Sequence, residues 1–497
     1  METCPPSTDR ESHLSEMSDK ENAEVSVVEE NEAPCYSPQQ TRRLVRKIDR
    51  KLLPFLCLLY LLSFLDRTNI GNAKLAFLEK DLNMTGKYDY NIAVAIFYPF
   101  YVAIEIPSNL AMKRLKPSVW IPSIMVAWGA LSLIMGTVKS FPGLLAVRAA
   151  LGLAEGGLFP GITYYISMWY RRQECGLRIA IFFSAATLAG AFGGLLARGI
   201  MEMSDLGGFK GWSWIFIIEG IATVLVAFLA YFVMHDYPAT AKFLTASEKD
   251  EVFRRLKQDQ SVLSDQFKSQ FIIHAIKDWK IYVNMVIFCG IFTSVYSVSI
   301  FLPTIIKGLG YTNEIAQLLS APPYISACLC TLFAGYWSDK KSTRGVYIVF
   351  FCSIAVLGFA LLAGVQNHGV KYFACFLVTA GTYPNVPLSI AWSSNNIGGS
   401  VKRGVGIAMV VGFGNLGGIM SSFMFRNDDA PRYISGYASL LGISAMSGAC
   451  SILMTWYFRK ENARRDREYK SPGEYTLDEK LQESEKGENA TFFRYML

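Results

Sequence analysis

The sequence predicts an all-α membrane protein with about twelve transmembrane helices arranged in two six-helix halves. The composition indicates this class, because 52% of the 497 residues are hydrophobic and only 18% are charged, which is unusual for a soluble enzyme. About twelve apolar segments reach the ~20 residues that a helix needs to cross a bilayer. A polar stretch between the sixth and seventh segments divides them evenly.

The apolar segments follow one another along the chain, separated by polar connections. In order, the predicted spans cover residues 52–72, 89–112, 118–138, 141–169, 179–200, 212–234, 280–306, 314–337, 345–364, 371–394, 404–425 and 433–457.

Basic residues mark every second connection. They precede the first span and follow the second, fourth, eighth, tenth and twelfth, whereas the other loops hold fewer basic residues or balance them with acids. By the positive-inside rule, the basic loops and both termini are cytoplasmic, which requires an even number of spans. The net charge of +7 therefore reflects membrane topology, and no nucleic-acid partner is expected.

The chain divides into two halves, a linker and two tails. Residues 1–45 and 461–497 are polar and are predicted to be disordered cytoplasmic tails, and the first of them contains no apolar run typical of a signal peptide. The six-helix halves cover residues 46–234 and 280–460. Residues 235–279 form a cytoplasmic linker that holds a short amphipathic helix.

Four charged residues stand out inside the predicted spans: Asp66, Arg67, Arg148 and Glu155. A charge near the centre of a spanning helix costs about 2.5–3.5 kcal/mol on insertion scales, so such residues usually mark an ion or substrate pathway. A rise of ~1.5 Å per residue places Asp66, Arg67 and Arg148 at one level, roughly 9–10 Å below the outer face of the core. The same rise places Glu155 ~10 Å deeper.

The two arginines predict a binding pocket for a small organic anion, because a guanidinium group binds a carboxylate through two parallel hydrogen bonds. Asp66 is expected to occupy this pocket when it is empty, and protonation of Asp66 or Glu155 would release arginine donors to the anion. The alternative is a fixed ion pair between Asp66 and Arg148. Because Arg67 points ~100° away from Asp66 on the helix, one such pair cannot explain both residues.

Four further residues are candidates for substrate binding: Tyr98 in span 2, Tyr164 in span 4, Trp392 in span 10 and Asn415 in span 11. An aromatic ring can stack on a planar substrate, although in so aromatic a chain each ring alone is equally a packing residue. Asn415 lies among glycines, which leave its amide unshielded. Glu105 is assigned to a gate or to helix packing, and for Glu219 a structural hydrogen bond between spans is at least as good an interpretation as a role in transport.

A motif after span 8 resembles the loop signature of the major facilitator superfamily. It reads Gly335-Tyr-Trp-Ser-Asp339-Lys-Lys-Ser-Thr-Arg344. The glycine lets helices approach closely, and the aspartate both caps a helix end and pairs with the arginine. We expect Gly335, Asp339 and Arg344 to form a conformational latch. The equivalent loop of the first half lacks the aspartate.

Longer blocks resemble the fungal anion:cation symporters, the allantoate permease group of the same superfamily. They are Asp66-Arg67-Thr68-Asn69-Ile70-Gly71-Asn72-Ala73, Arg148-x-x-x-Gly152-x-x-Glu155-Gly156, Trp214-Ile-Phe-Ile-Ile-Glu219-Gly220, Tyr383-Pro384-Asn385 and Pro431-Arg432-Tyr433. The resemblance covers about residues 45–460. It implies proton-coupled uptake of a small carboxylate, such as nicotinate or allantoate, by alternating access at the plasma membrane.

Other functions have weaker support in the sequence. No nucleophile–base motif or phosphate-binding glycine loop indicates an enzyme, and neither a cofactor nor a metal ion is expected from the scattered histidines and the cysteines, most of which lie within spans. A transporter-like nutrient receptor that binds the same anion remains an alternative, as does an exporter of the same fold. The partners expected are the organic anion, protons and the lipid bilayer, with the protein acting as a monomer.

Overall fold

The computed structural model describes residues 36–260, 269–430, 432–471 and 473–497. Helices dominate these ranges, which contain no β-strand, so the predicted all-α class is confirmed. The helices of the twelve spans are Pro38–Leu75; Asp89–Ala95 with Phe97–Arg114; Pro117–Gly136; Phe141–Glu155 with Leu158–Ser167; Arg172–Met201; Gly211–Val233; Trp279–Lys307; Asn313–Lys341; Gly345–Gly364; His368–Thr382 with Asn385–Asn396; Ser400–Asn415 with Gly417–Ser422; and Ile434–Glu468. Short helices lie between the spans at Leu78–Asp81, Leu206–Gly208, Pro238–Thr240, Ala246–Gln260, Ser269–Lys277 and Asn427–Asp429, and two more follow span 12 at Leu477–Gln482 and Ser484–Asn489.

Eleven of the spans in the described ranges are long and apolar enough to cross a membrane. Span 1, Pro38–Leu75, is the twelfth. It is less apolar because it begins with a basic stretch and carries Asp66 and Arg67, yet its residues from Tyr60 onward are almost all buried in the bundle. Polar residues in a spanning helix are normally directed to the protein interior rather than to lipid, and span 1 follows that rule.

Spans 2, 4, 10 and 11 are each interrupted, and in spans 4 and 10 the break falls near the middle. In span 4 the break falls at Gly156 and Gly157, where the chain lies against span 2 so closely that a Cβ atom on Gly156 would meet the carbonyl oxygen of Tyr101. In span 10 the break precedes Pro384, which cannot continue the backbone hydrogen bonding of a helix. Such breaks at membrane depth are tolerated where the backbone is covered by protein, and here they flank the centre of the bundle.

The two halves are bonded to each other at both ends of the bundle. We call the end that carries residues 235–278 the linker end and the opposite one the far end. At the far end, Arg198 pairs with Glu314 at 3.2 Å, and the Asn313 amide donates to the carbonyl oxygen of Leu75 at 2.9 Å. At the linker end, the Leu177 amide of span 5 donates to Asp339 Oδ2 of span 8 at 2.7 Å. The centre is therefore covered from both sides.

The linker helix Ala246–Gln260 docks onto the first half. Lys47 pairs with Glu248 at 2.7 Å, and the Arg171 side chain donates to the backbone oxygen of Arg255 at 3.1 Å. The helix buries Val252 together with the charged side chains of Glu251 and Arg255, and it exposes Phe253, so its buried face is held by ion pairs and hydrogen bonds as well as by apolar packing.

The predicted N-terminal tail is shorter than expected. Residues 1–35 lie outside the described residues, but residues 38–45 are the first turns of span 1 rather than disordered chain. The Ser37 hydroxyl accepts from the Gln40 amide, and the Gln40 side chain accepts in return from the Ser37 amide. This capping box fixes the residue at which the helix begins. It is a local signal that outweighs the polar composition of the segment.

The prediction of a disordered tail from residue 461 was wrong for most of that tail. Span 12 continues to Glu468, and residues 484–497, here called the C-terminal segment, fold back onto the linker end of the second half. Trp392 and Asn396 donate to the carbonyl oxygen of Met496 at 2.9 and 3.0 Å, and the ring of Tyr495 stacks on that of Phe458 with centroids 4.6 Å apart. A few buried side chains anchor a segment whose average composition is polar.

Candidate functional site

Span 1 directs its two adjacent charges to different neighbours. Asp66 faces spans 3 and 6, and Arg67 faces spans 2, 4 and 7. Successive residues of an α-helix point ~100° apart, so this divergence follows from the helix itself. The two residues therefore belong to separate polar clusters.

Arg67 forms a buried ion pair with Glu155. The distance from Arg67 Nη2 to Glu155 Oε1 is 2.5 Å, and the Ser63 hydroxyl donates to the same oxygen at 2.6 Å. Arg67 is 3% exposed and Glu155 is fully buried. A buried charge needs a partner of opposite sign, and each of these residues provides it for the other.

A chain of hydrogen bonds begins at the other terminal nitrogen of Arg67, Nη1, and reaches the second half of the protein. Arg67 Nη1 donates to the Tyr296 hydroxyl at 3.0 Å, which donates to Asn415 Oδ1 at 2.8 Å. The Asn415 amide in turn donates to Glu105 Oε2 at 3.3 Å. This chain of hydrogen bonds starts in span 1, passes through spans 7 and 11, and returns to span 2, so it connects the two halves at the centre of the bundle.

Aromatic rings surround both arginines. The guanidinium carbon of Arg67 lies 5.3, 4.9 and 5.6 Å from the ring centroids of Phe97, Tyr101 and Tyr296. That of Arg148 lies 5.3 Å from the same Phe97 centroid. Phe97 is thus shared by the two cations, which are held by cation–π contacts in a region without bulk water.

Arg148 has no acidic partner among the residues that the structure describes. It is 1% exposed, and its Nε atom donates to the carbonyl oxygen of Ala93 at 3.2 Å. Across the described ranges, its Nη1 atom and the Nε atom of Arg67 are buried without a hydrogen-bond partner. Two buried cations therefore share one carboxylate partner and keep two unused N–H groups, the type of donor that an anion can accept.

Asp66 lies outside that cluster. Trp128 Nε1 and the hydroxyls of Ser132 and Thr223 donate to its carboxylate at 3.1, 3.0 and 3.3 Å. Asp66 makes no ion pair within the described part of the chain, so the alternative of an Asp66–Arg148 pair and the expectation that Asp66 fills the empty arginine pocket were both wrong. Its neighbours on spans 3 and 6 supply donors without charge.

The remaining substrate candidates divide between the cluster and the periphery. Asn415 belongs to the central chain, and Tyr98 is buried against the Tyr296 ring with centroids 5.0 Å apart. Tyr164 is 38% exposed and does not reach the cluster, because its neighbour Tyr165 takes the inward direction and donates to the carbonyl oxygen of His235. Trp392 is buried at the linker end against the C-terminal segment. The assignments of Tyr164 and Trp392 to the substrate pocket are therefore corrected.

The three latch residues meet span 5 at the linker end. Arg344 Nη2 bonds Asp339 Oδ1 at 2.7 Å, and Asp339 Oδ2 accepts from the Leu177 amide at 2.7 Å. Gly335 faces Ala180 on span 5, and a Cβ atom on Gly176 would fall on the side chains of Asp339 and Arg344. The motif thus bonds the second half to the first, through a backbone donor that no side-chain pattern reveals.

Sequence reasoning missed three members of the central cluster: Ser63, Phe97 and Tyr296. All three are uncharged, and in a chain with 33 phenylalanines and 25 tyrosines no local signal separates a ring at the site from a ring in the core. Glu105, assigned to a gate or to packing, ends the hydrogen-bond chain. Within the described ranges, no group of three or more His, Cys, Asp or Glu side chains could hold a metal ion.

The chain is similar in sequence to known membrane transporters. The family model of the Major Facilitator Superfamily matches residues 56–422. The High-affinity nicotinic acid transporter of Saccharomyces cerevisiae is 32% identical over 453 residues, which cover 91% of this chain and 84% of that protein. The MFS-type transporter cnsO of Penicillium expansum is 34% identical over 479 residues, covering 93% of this chain and 92% of its own.

The fold also matches a solved structure. A bacterial homolog of the human lysosomal transporter Spinster, in an inward-facing and occupied conformation, aligns with a TM-score of 0.59 and 14% identity over 86% of this chain and 99% of its own. At that identity the likeness shows the fold alone. Since the family model covers most of the chain and the curated relatives match it along nearly their whole length, this protein is a membrane transporter of the major facilitator superfamily.

Proposed function

We propose that this transporter imports a small organic anion together with protons, with a planar carboxylate such as nicotinate as the favoured substrate class. The observation that carries the proposal is the pair of unused buried N–H groups on Arg67 and Arg148, which flank one aromatic ring. Buried donors are nearly always bonded, so a cluster that leaves two of them free is suited to a ligand that accepts both.

The chemistry of the cluster favours an aromatic or otherwise planar carboxylate. A carboxylate offers about four lone-pair sites, enough to accept from two arginines. Phe97, Tyr101 and Tyr296 provide flat surfaces on which a ring could stack. The 32% identity to a nicotinic acid transporter supports the same substrate class.

Glu155 provides a route for coupling to protons. The anion and Glu155 compete for Arg67, so a proton on Glu155 would remove the competitor and free the guanidinium group for the substrate. Import of a monoanion against an inside-negative potential costs about 2.3 kcal/mol per 100 mV, and one proton carried in the same direction cancels that charge term. The proton and the anion are thereby coupled without touching each other.

The charge pattern supports one orientation in the membrane. We place the linker end in the cytoplasm of a multi-pass plasma-membrane protein, with both termini on the same side, because the basic loops lie at that end. Alternating access would then require the far-end and linker-end contacts between the halves to break in turn. The Asp339–Leu177 hydrogen bond would hold the cytoplasmic side closed.

Transport into proteoliposomes tests the proposal directly. Wild-type protein is expected to accumulate labelled nicotinate when an inward proton gradient is imposed, and to ignore nicotinamide, which has the same ring without the charge. Arg67→Ala should abolish uptake, whereas Arg426→Ala, which removes an exposed arginine outside the spans, should not.

Two results would count against a proton-coupled importer. Normal uptake by Arg67→Ala would exclude the arginine cluster as the anion site. Saturable binding of carboxylates without accumulation of any of them would favour the nutrient-receptor alternative, and accumulation only in the outward direction would favour the exporter.

A further inference from the structure

We infer that Asn69 and Glu219 form a proton-binding site of their own, separate from the arginine cluster, in which the proton lies on Glu219 Oε1 and is shared with the carbonyl oxygen of Asn69. Its role in transport rests on the proposed function, but its existence does not. The site lies between spans 1 and 6 in the first half of the protein.

Two neighbouring side-chain hydrogen bonds, each here called a rung, connect spans 1 and 6. In the first, the Thr223 hydroxyl donates to Asp66 at 3.3 Å. In the second, Asn69 Nδ2 donates to Glu219 Oε2 at 2.5 Å. Asn69 follows Asp66 by three residues and Glu219 precedes Thr223 by four, so the spacing of an antiparallel helix pair places the second rung one turn nearer the far end.

The second rung has two oxygen atoms without a partner. Glu219 Oε1 and Asn69 Oδ1 are both buried and make no hydrogen bond to any residue that the structure describes, and the two side chains are 3% and 0% exposed. An ionised carboxylate and an amide oxygen are acceptors only, so neither can satisfy the other. A proton on Oε1 converts it into a donor and gives both atoms a partner, which closes an acid–amide pair bonded on both edges.

The charges nearby favour one bound proton. Span 6 packs against spans 1, 3 and 5. It has no charged residue besides Glu219, and span 3 has none. On span 1 the nearby charges are Asp66 and Arg67, with Lys74 at the far end beside Glu79, and on span 5 Arg198 is paired with Glu202 and Glu314. No cation contacts Asp66 or Glu219 in the described ranges.

Asp66 and Glu219 have complementary surroundings. Three donors point at Asp66, which suits the carboxylate ion. Glu219 receives one donor on Oε2 and none on its buried Oε1, which suits the neutral acid. Glu219 lies eight residues into span 6, about 12 Å from its far end. In the proposed orientation a proton from outside would therefore reach Glu219 before Asp66.

Infrared spectroscopy of the purified wild-type protein tests the site without any substrate. A neutral carboxyl group has a C=O stretch well separated from the carboxylate bands. We expect one such band to be lost in Glu219→Gln, whose amide can keep both bonds to Asn69, and to shift in Asn69→Leu, which removes the acceptor. Glu202→Gln, which alters an exposed acid at the end of span 5, should leave the band unchanged. A spectrum that is the same in wild type and Glu219→Gln would overturn the proton assignment.

Proteoliposomes test the transport role. Glu219→Gln should still exchange labelled for unlabelled nicotinate but accumulate at least tenfold less under an inward proton gradient, because it can no longer release a proton. Accumulation at the wild-type level would show that Glu219 is structural and would overturn the role in coupling. If wild-type protein transports no carboxylate, the proposed function fails, while the infrared band still decides whether Glu219 holds a proton.

Discussion

Replacing Glu155 with glutamine is expected to destabilise the protein more than replacing both members of its ion pair. The single change leaves Arg67 buried with no negative partner, and breaking a buried pair in this way costs about 3–5 kcal/mol. The double variant Arg67→Gln/Glu155→Gln contains no unpaired charge, and exchanging a whole buried pair for neutral residues is often close to neutral.

The contacts around the pair should limit the loss of stability in Glu155→Gln. Arg67 would keep its bond to Tyr296 and its three ring contacts, and cation–π contacts away from water are worth up to about 2 kcal/mol. The Ser63 hydroxyl could still donate to the glutamine carbonyl. We therefore expect the lower end of the range, about 3 kcal/mol, for Glu155→Gln. Because the double variant is expected to be close to neutral, the coupling energy between the two positions should be at least about 3 kcal/mol.

A double-mutant cycle measured by unfolding in detergent micelles gives both values. The control cycle uses Arg198→Gln and Glu202→Gln, a partly exposed pair with i,i+4 spacing in span 5, for which about 0.5 kcal/mol or less is expected. If the effects of Arg67→Gln and Glu155→Gln simply add, the two charges do not depend on each other, and the competition between Glu155 and an anion for Arg67 loses its basis.

Three further outcomes are expected. Tyr296→Phe removes the hydroxyl that connects the halves. It should lower the free energy of unfolding by about 1–3 kcal/mol in the same assay, because it leaves a buried donor and a buried acceptor unpaired. An equal effect of Tyr88→Phe, at a partly exposed ring, would contradict this. Gly176→Ala places a methyl group on the latch and should lower stability by about 1–3 kcal/mol, whereas Gly199→Ala, on the same span with nothing within 4 Å, should be neutral or stabilising. Although burial acts to raise the pKa of Glu488, Lys280 and Lys402 hold that pKa below its usual range. The C-terminal segment should therefore stay docked at neutral pH, and its amide hydrogen exchange should become faster only as the pH falls below about 4. In Glu488→Gln the exchange should be fast at every pH.

The number and order of the spans, and the divergence of Asp66 from Arg67, could be predicted from the sequence. Span length is set by the bilayer, and the angle between neighbouring side chains is set by the helix. Both are local properties, so they need no knowledge of how the helices pack. The latch motif was predictable for a similar reason, because its residues are close in sequence.

The partners of the charges could not be predicted from depth alone. Side chains of an α-helix lean toward its N-terminus, so Arg67 on span 1 reaches toward the linker end and meets Glu155. Arg148 lies on the antiparallel span 4 and leans toward the far end, where it meets the Ala93 carbonyl. The Cα atoms of the two arginines are predicted to lie at one level, but the side chains extend in opposite directions. Both guanidinium groups contact the ring of Phe97.

Contacts between distant parts of the chain were also out of reach. Tyr296 joins Arg67 to Asn415 only because spans 1, 7 and 11 meet at the centre. The C-terminal segment looks disordered by composition, yet two aromatic rings and the bonds of Glu488 to Lys280 and Lys402 fix it. Such pairings depend on the packed structure, which composition and periodicity do not describe.

The bond between Arg67 and Glu155 also governs the part of the proposed cycle in which nothing is carried. After proton and anion have left, Glu155 compensates Arg67, and the empty carrier can return across the hydrophobic core with that charge paired. A carrier with a proton on Glu155 and no anion would expose two uncompensated arginines to the same core, so its return is disfavoured. In the proposed cycle, this one contact would thus allow the empty protein to recycle and would oppose the slippage that lets protons leak down their gradient alone.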